Sequence, residues 1–138
     1  LRWAVDSFKL STSGISDSMN TASHFCYSDF NDIMDSIIEL DADMISIENS
    51  KSDAKLLNIF KTTKYPNELG PGVFDIHSPR VPSKEEMVQR VQEMAQILDP
   101  KSLWVNPDCG LKTRNWEETT AQLKNMVAAA AEARKAFA

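Results

Sequence analysis

The chain has 138 residues, 42% hydrophobic and 25% charged, the balance of a soluble globular chain rather than a disordered one. Its net charge is −5 and it carries no basic stripe, which argues against nucleic acid as a partner. With no run of ~18 apolar residues, nothing reads as a membrane span. The opening residues, Leu1 to Asp6, lack the charged-then-apolar layout of a secretory signal. Two cysteines 83 positions apart make no disulfide framework. Together these point to a reducing, cytoplasmic setting.

In chain order, Trp3 to Leu10 reads as the tail of a helix, with Trp3, Val5, Phe8 and Leu10 apolar. Because the chain opens inside that helix and without an initiator Met, it reads as a fragment of something longer. A Ser/Thr/Gly/Asn-rich connection, Ser11 to Thr21, leads to a short strand at Ser23 to Tyr27. A helix follows from near Asp29, with Phe30, Ile33, Met34, Ile37 and Ile38 at helical spacing. Asp43 to Glu48 is strand-like, and Ser52 or Asp53 can cap a helix carrying Leu56, Leu57 and Phe60. A polar loop with Pro66 and Gly70 precedes a strand at Gly72 to Ile76. Ser83 and Glu86 form a capping box ahead of a long helix with a buried stripe of Met87, Val88, Val91, Met94, Ala95 and Leu98. A fourth strand, Leu103 to Asn106, and a last helix from near Asn115 complete the chain. Trp104 and Trp116 fall at positions expected to pack in the core.

Strand and helix thus alternate four times, which implies parallel strands with crossover helices. Two architectures fit: an open doubly wound sheet, or part of a (β/α)8 barrel. No Gly-rich phosphate loop follows a strand, which weakens the nucleotide-binding version. In a barrel the chemistry gathers where strands end.

Both histidines and both cysteines of the chain lie at the four strand ends, in Ser23-His24-Phe25-Cys26, in Asp75-Ile76-His77 and in Asn106-Pro107-Asp108-Cys109, while the second strand ends in Ile47-Glu48-Asn49-Ser50. The separations from Cys26 to Glu48 to His77 to Cys109 are 22, 29 and 32 residues. A barrel of ~250 residues has ~31 per unit, so these ends would be neighbours on one rim. His24 and Cys26, two apart in a strand, face the same side. Imidazole, thiolate and carboxylate are the ligand types of zinc, and His24, Cys26, Glu48 and Cys109 would supply a tetrahedral, sulfur-rich set. Against this, Cys is often a small buried hydrophobe and a strand-end His is often simply hydrogen-bonded. His77 reads as a further ligand, as a proton donor, or as a histidine satisfied by a carboxylate. Asp75 and Asp108 could orient a histidine from behind or cap a loop. Arg80, Lys112 and Arg114 could hold an anion, though loop cations are usually solvated. Asn49 and Ser50 could touch ligand, turn roles being more common there.

These segments closely resemble the cobalamin-independent methionine synthase family, in wording nearest its plant-like branch. The likeness runs through Ser23-His24-Phe25-Cys26-Tyr27-Ser28-Asp29-Phe30-Asn31-Asp32, through Asp41 to Ser50, through Gly70-Pro71-Gly72-Val73-Phe74-Asp75-Ile76-His77-Ser78-Pro79-Arg80 and through Leu103 to Arg114, and it extends to Asn125 to Ala129. Lys51 departs from it, standing where the family often has Arg. The resemblance implies that residues 1–138 are the C-terminal part of the catalytic (β/α)8 barrel of a two-barrel enzyme, carrying about its last four βα units. It implies Zn2+ bound by His24, Cys26, Glu48 and Cys109, with His77 as proton donor. The implied reaction moves a methyl group from 5-methyltetrahydropteroyltri-L-glutamate, a folate polyglutamate, to L-homocysteine, giving L-methionine. Its partners are those two substrates and the missing N-terminal part of the same enzyme; plant members can be cytosolic or plastid. Two other outcomes remain open: an inactive zinc-binding fragment, and a related barrel zinc-thiol methyltransferase with another thiol substrate.

Overall fold

The computed structural model describes residues 1–28, 30–50 and 55–137. The expected helix start at Asp29, the caps Ser52 and Asp53, and Lys51 lie outside these residues, as do the side chains of Leu56 and Leu57. The elements in order are α1 (Arg2–Thr12), β1 (Ala22–Phe25), α2 (Phe30–Glu39), β2 (Met44–Ile47), α3 (Lys55–Thr62), β3 (Glu68–Pro71), α4 (Lys84–Ala95) and α5 (Trp116–Phe137), with a 3-10 turn at Pro100–Ser102.

The three strands form one parallel sheet in the order β1-β2-β3. Each consecutive pair is joined through a helix, as parallel strands require. The central strand β2 places Ile45 and Ile47 fully inside. Burying an aliphatic side chain of that size is worth roughly 1.5–3 kcal/mol, so this short strand is held chiefly by what covers it. The covering comes from α2, through Phe30, Met34 and Ile37, and from Phe60 of α3. Met87, Val91 and Met94 of α4 join the same core, with Ala129 and Ala133 of α5. Val88, Ala95 and Leu98, expected on the α4 stripe, are half-buried. The capping box at the start of α4 is formed as expected, Ser83 Oγ accepting from the Glu86 amide and Glu86 from the Ser83 amide.

The third strand lies earlier than Gly72 to Ile76. It is Glu68–Pro71, and Gly72 adds one parallel bridge to Asn106. Val73, Phe74 and Ile76 are buried all the same, because they pack in the core from beyond the strand. An apolar run reports burial and does not separate a strand from a covered turn. The fourth strand is reduced to two parallel bridges, Leu69 to Leu103 and Gly72 to Asn106, reinforced by the Trp104 amide donating to the Leu69 carbonyl at 2.9 Å. Gly70 and Gly72 are what let this segment approach: a Cβ on Gly70 would meet Asn106 Oδ1 at 2.1 Å, and one on Gly72 would meet Asp108 Oδ1 at 1.9 Å.

Two tryptophans depart from the expected core. Trp116 is 84% exposed at the start of α5, and Trp104 is 47% exposed, its indole N–H donating to Glu68. Trp3 and Leu10 of α1 are exposed too, while Val5 is buried. Among the described residues no strand pairs with the outer side of β1.

Candidate metal centre

Parallel strands point their carboxyl ends the same way, so the loops that leave them share one rim. The register of β1 on β2 pairs His24 with Ser46 and Phe25 with Ile47. Cys26 and Glu48, separated by the same 22 residues as His24 and Ser46, therefore leave the sheet side by side. Cys109 arrives from the loop beyond Asn106, which the Gly72 bridge pins to the end of β3.

The outcome is a cluster. The ligand atoms of His24, Cys26 and Cys109 all lie within 4.8 Å of one another. One nitrogen and two sulfurs so placed match the donor chemistry of a zinc site. His24 is oriented from behind, its Nδ1 sharing a 2.8 Å hydrogen bond with Ser46 Oγ, so Nε2 is the nitrogen available to an ion. Glu48 stands outside this close trio and beside it: its Oε2 accepts from the Tyr27 amide at 3.1 Å. Burial pushes the Cys109 thiol up to about 12, and the hydrogen bond and charge of Cys26, then the charges of Glu48 and Asp108, push the same way. A cluster whose neighbours oppose a second negative charge is one that a divalent cation would relieve.

His77 is not part of the trio. Its Nδ1 lies 2.7 Å from Asp75 Oδ1, which also accepts from the His77 amide at 2.8 Å. Its Nε2 lies 2.8 Å from the Tyr27 hydroxyl, with the two rings edge to face. With Nδ1–H donated to the carboxylate, Nε2 of the neutral ring accepts from the tyrosine O–H. Asp75 is thus the carboxylate that orients a histidine, and the histidine is His77.

Tyr27 was not among the residues singled out from sequence. It follows Cys26 with φ 53°, a left-handed backbone that costs a non-glycine residue about 1–2 kcal/mol. That turn aims its amide at Glu48 and its hydroxyl at His77, so one residue joins the cluster to the histidine. Ser46 was also missed; the signal for it is its separation from His24, equal to that of Cys26 and Glu48.

Asp108 is fully buried and accepts from the amides of Asn49 and Ser50 and from the Ser50 hydroxyl, at 3.0–3.2 Å. It is a loop cap and not a partner of a histidine. Burial raises its carboxyl above the usual range, against the lowering effect of those donors. Two cations expected as anion holders are engaged elsewhere: Arg80 pairs with Glu86, and Arg114 with Glu118 at 3.6 Å.

A sequence model of the family described as "Cobalamin-independent synthase, Catalytic domain" matches residues 1–132. The chain belongs to the cobalamin-independent methionine synthase family. Its relatives in that family include a probable 5-methyltetrahydropteroyltriglutamate–homocysteine methyltransferase of Schizosaccharomyces pombe, 57% identical over all 138 residues. The chloroplastic enzyme 3 of that name from Arabidopsis thaliana is 58% identical over 94% of the chain. The chain spans only 18% and 16% of the length of these two curated relatives. In fold it is similar to a B12-independent methionine synthase from Shewanella sp. W3-18-1 solved with selenomethionine: TM-score 0.86, 17% identity, 99% of this chain and 44% of that one. That likeness in fold, with the parallel sheet and its crossover helices, bears out a (β/α)8 barrel carried in part. Among the described residues no helix is long and apolar enough to cross a membrane.

Proposed function

We propose that residues 1–138 are the C-terminal, metal-binding part of the catalytic barrel of a two-barrel enzyme that methylates L-homocysteine. The methyl donor is 5-methyltetrahydropteroyltri-L-glutamate and the product L-methionine, the reaction in the names of the relatives. The observation that carries the reading is the approach of His24, Cys26 and Cys109 to within 4.8 Å from strand ends far apart in sequence. With Glu48 beside them, these residues would hold zinc. Bound there, zinc supplies a Lewis acid that lowers the pKa of a thiol brought to it.

The chain's own groups handle the proton. Methyl transfer forms a carbon–sulfur bond and breaks a carbon–nitrogen bond, and the nitrogen that departs must gain a proton, since an amide-like anion of nitrogen is a poor leaving group. In this reading His77 holds that proton. Asp75 fixes its tautomer and would stabilise the imidazolium, and the Tyr27 hydroxyl marks the position at Nε2 where a proton is passed. Homocysteine, folate and the remainder of the barrel are the partners this reading requires, and the turnover belongs to the whole protein. The setting is cytoplasmic, or plastid as in the chloroplastic relative.

His77→Asn, made in the whole protein, separates the two halves of the site. It keeps its zinc and loses methyl transfer by about 10²–10⁴-fold, the usual worth of a general acid. Unchanged turnover removes His77 from the reaction. Turnover with other thiols but not with homocysteine would instead make this a related thiol methyltransferase.

A further inference from the structure

Asp108 sits next to Cys109 in the chain and is the one fully buried carboxylate among the described residues. Its ligands come from elsewhere. The Asn49 amide donates to Oδ1 at 3.1 Å, the Ser50 amide to both oxygens at 3.0 and 3.2 Å, and the Ser50 hydroxyl to Oδ1 at 3.0 Å. Those two residues follow Glu48 directly. The same knot takes in the end of β3. The Asp108 amide donates to the Phe74 carbonyl at 3.0 Å, and the Gly72 carbonyl accepts from Asn49 Nδ2 at 3.3 Å. A side chain on Gly72 would land 1.9 Å from Asp108 Oδ1 and 2.5 Å from its Cα, so the space this carboxylate occupies exists because position 72 has no Cβ.

A buried carboxylate is a costly way to fill a core position. Three donors explain it, the Asn49 amide, the Ser50 amide and the Ser50 hydroxyl: three contacts fall on Oδ1 and one, shared with the Ser50 N–H, on Oδ2, so an amide in its place would turn its NH2 toward that N–H. We propose that Asp108 is a positioning residue for the metal centre: it clasps the loop behind Glu48 to the loop that carries Cys109, and so sets the spacing of those two ligands. The proposal rests on the reading of His24, Cys26, Glu48 and Cys109 as the zinc ligands, and adds what holds the last two in place. Groups behind metal ligands typically contribute 10–100-fold in metal affinity.

The test uses Asp108→Asn and Ser50→Ala in the whole protein, read by zinc affinity in competition with a chromophoric chelator and by the absorption spectrum of the protein saturated with Co2+. Asp108→Asn is expected to weaken zinc about 10–100-fold and to alter the Co2+ ligand-field and thiolate bands at saturation. A residue that served stability alone would shift the unfolding midpoint and leave the saturated spectrum alone. Ser50→Ala, the milder variant, is expected to move affinity the same way by less. The double variant should bind no more weakly than Asp108→Asn, because both act through one clasp. Parental affinity and spectrum in Asp108→Asn, or in Ser50→Ala should Asp108→Asn not fold, overturn the proposal. A parent protein that takes up no zinc overturns the ligand assignment itself, and the clasp with it.

Discussion

Tyr65 shows how a single side chain couples the bottom of the sheet to pH. It is buried, and its hydroxyl donates to the Ala42 carbonyl at 3.3 Å. Burial first, then the charges of Asp41 and Asp43, push its phenol up to about 12. An unfolded tyrosine releases its proton near pH 10. Between about pH 10 and about 12 the native state therefore holds a proton that the unfolded state has lost. The stabilisation is complete below pH 10 and fades as pH rises through that window. Urea midpoints followed from pH 9 to 12 should fall more steeply for the parent than for Tyr65→Phe; parallel curves would show that Tyr65 does not contribute. At this scale the ligand types were readable because every His and Cys fell at a strand end. Tyr27 was not, because its role depends on a left-handed backbone and on a bond to His77, 50 residues away. The tryptophans misled for a related reason. A large aromatic can lie over a surface with its N–H satisfied, as Trp104 does on Glu68.

Among the elements, α4 is the one whose limits follow most directly from local chemistry. Ser83 and Glu86 satisfy each other's amides, and Ser83→Ala should cost about 1 kcal/mol, seen as a lower unfolding midpoint; no change would mean that packing alone sets the start of α4. The last helix was harder to read. Its buried positions are Thr119, Gln122, Ala129 and Ala133, small or polar residues, with Met126 half-buried against the core between them, while Val127 points outward. Gln122 is fully buried because its Nε2 donates to the Arg80 carbonyl at 3.0 Å, tethering the loop that follows His77. Met126 is the one large apolar side chain that announces such a face. The displacement of β3 has the same origin. Val73, Phe74 and Ile76 are buried in the core from a segment outside the strand, where an apolar pattern carries no information about backbone pairing.

Across the whole molecule, the α/β alternation was legible from spacing, because each crossover helix announces itself by a cap or an apolar stripe. What the sheet does at its flanks was less so. The outer side of β1 is unpaired among the described residues, and exposed Trp3 and Leu10 lie on α1. On the other flank, Leu103, Trp104, Val105, Val127 and Phe137, with Glu68, Lys101 and Arg134, line a hollow of about 500 Å³. Exposed apolar edges of this kind are what a continuing barrel would cover, in keeping with a chain that spans 18% of its Schizosaccharomyces pombe relative. At the rim between those flanks, His24, Cys26 and Cys109 meet from distant strand ends as a candidate metal site. Zinc content of the purified protein, measured beside a Cys109→Ser variant, tests it most directly. About one zinc per chain is expected in the parent, resistant to mild chelation, and its loss in the variant. Equal zinc in both would show that Cys109 is not a ligand and would contradict the site described here.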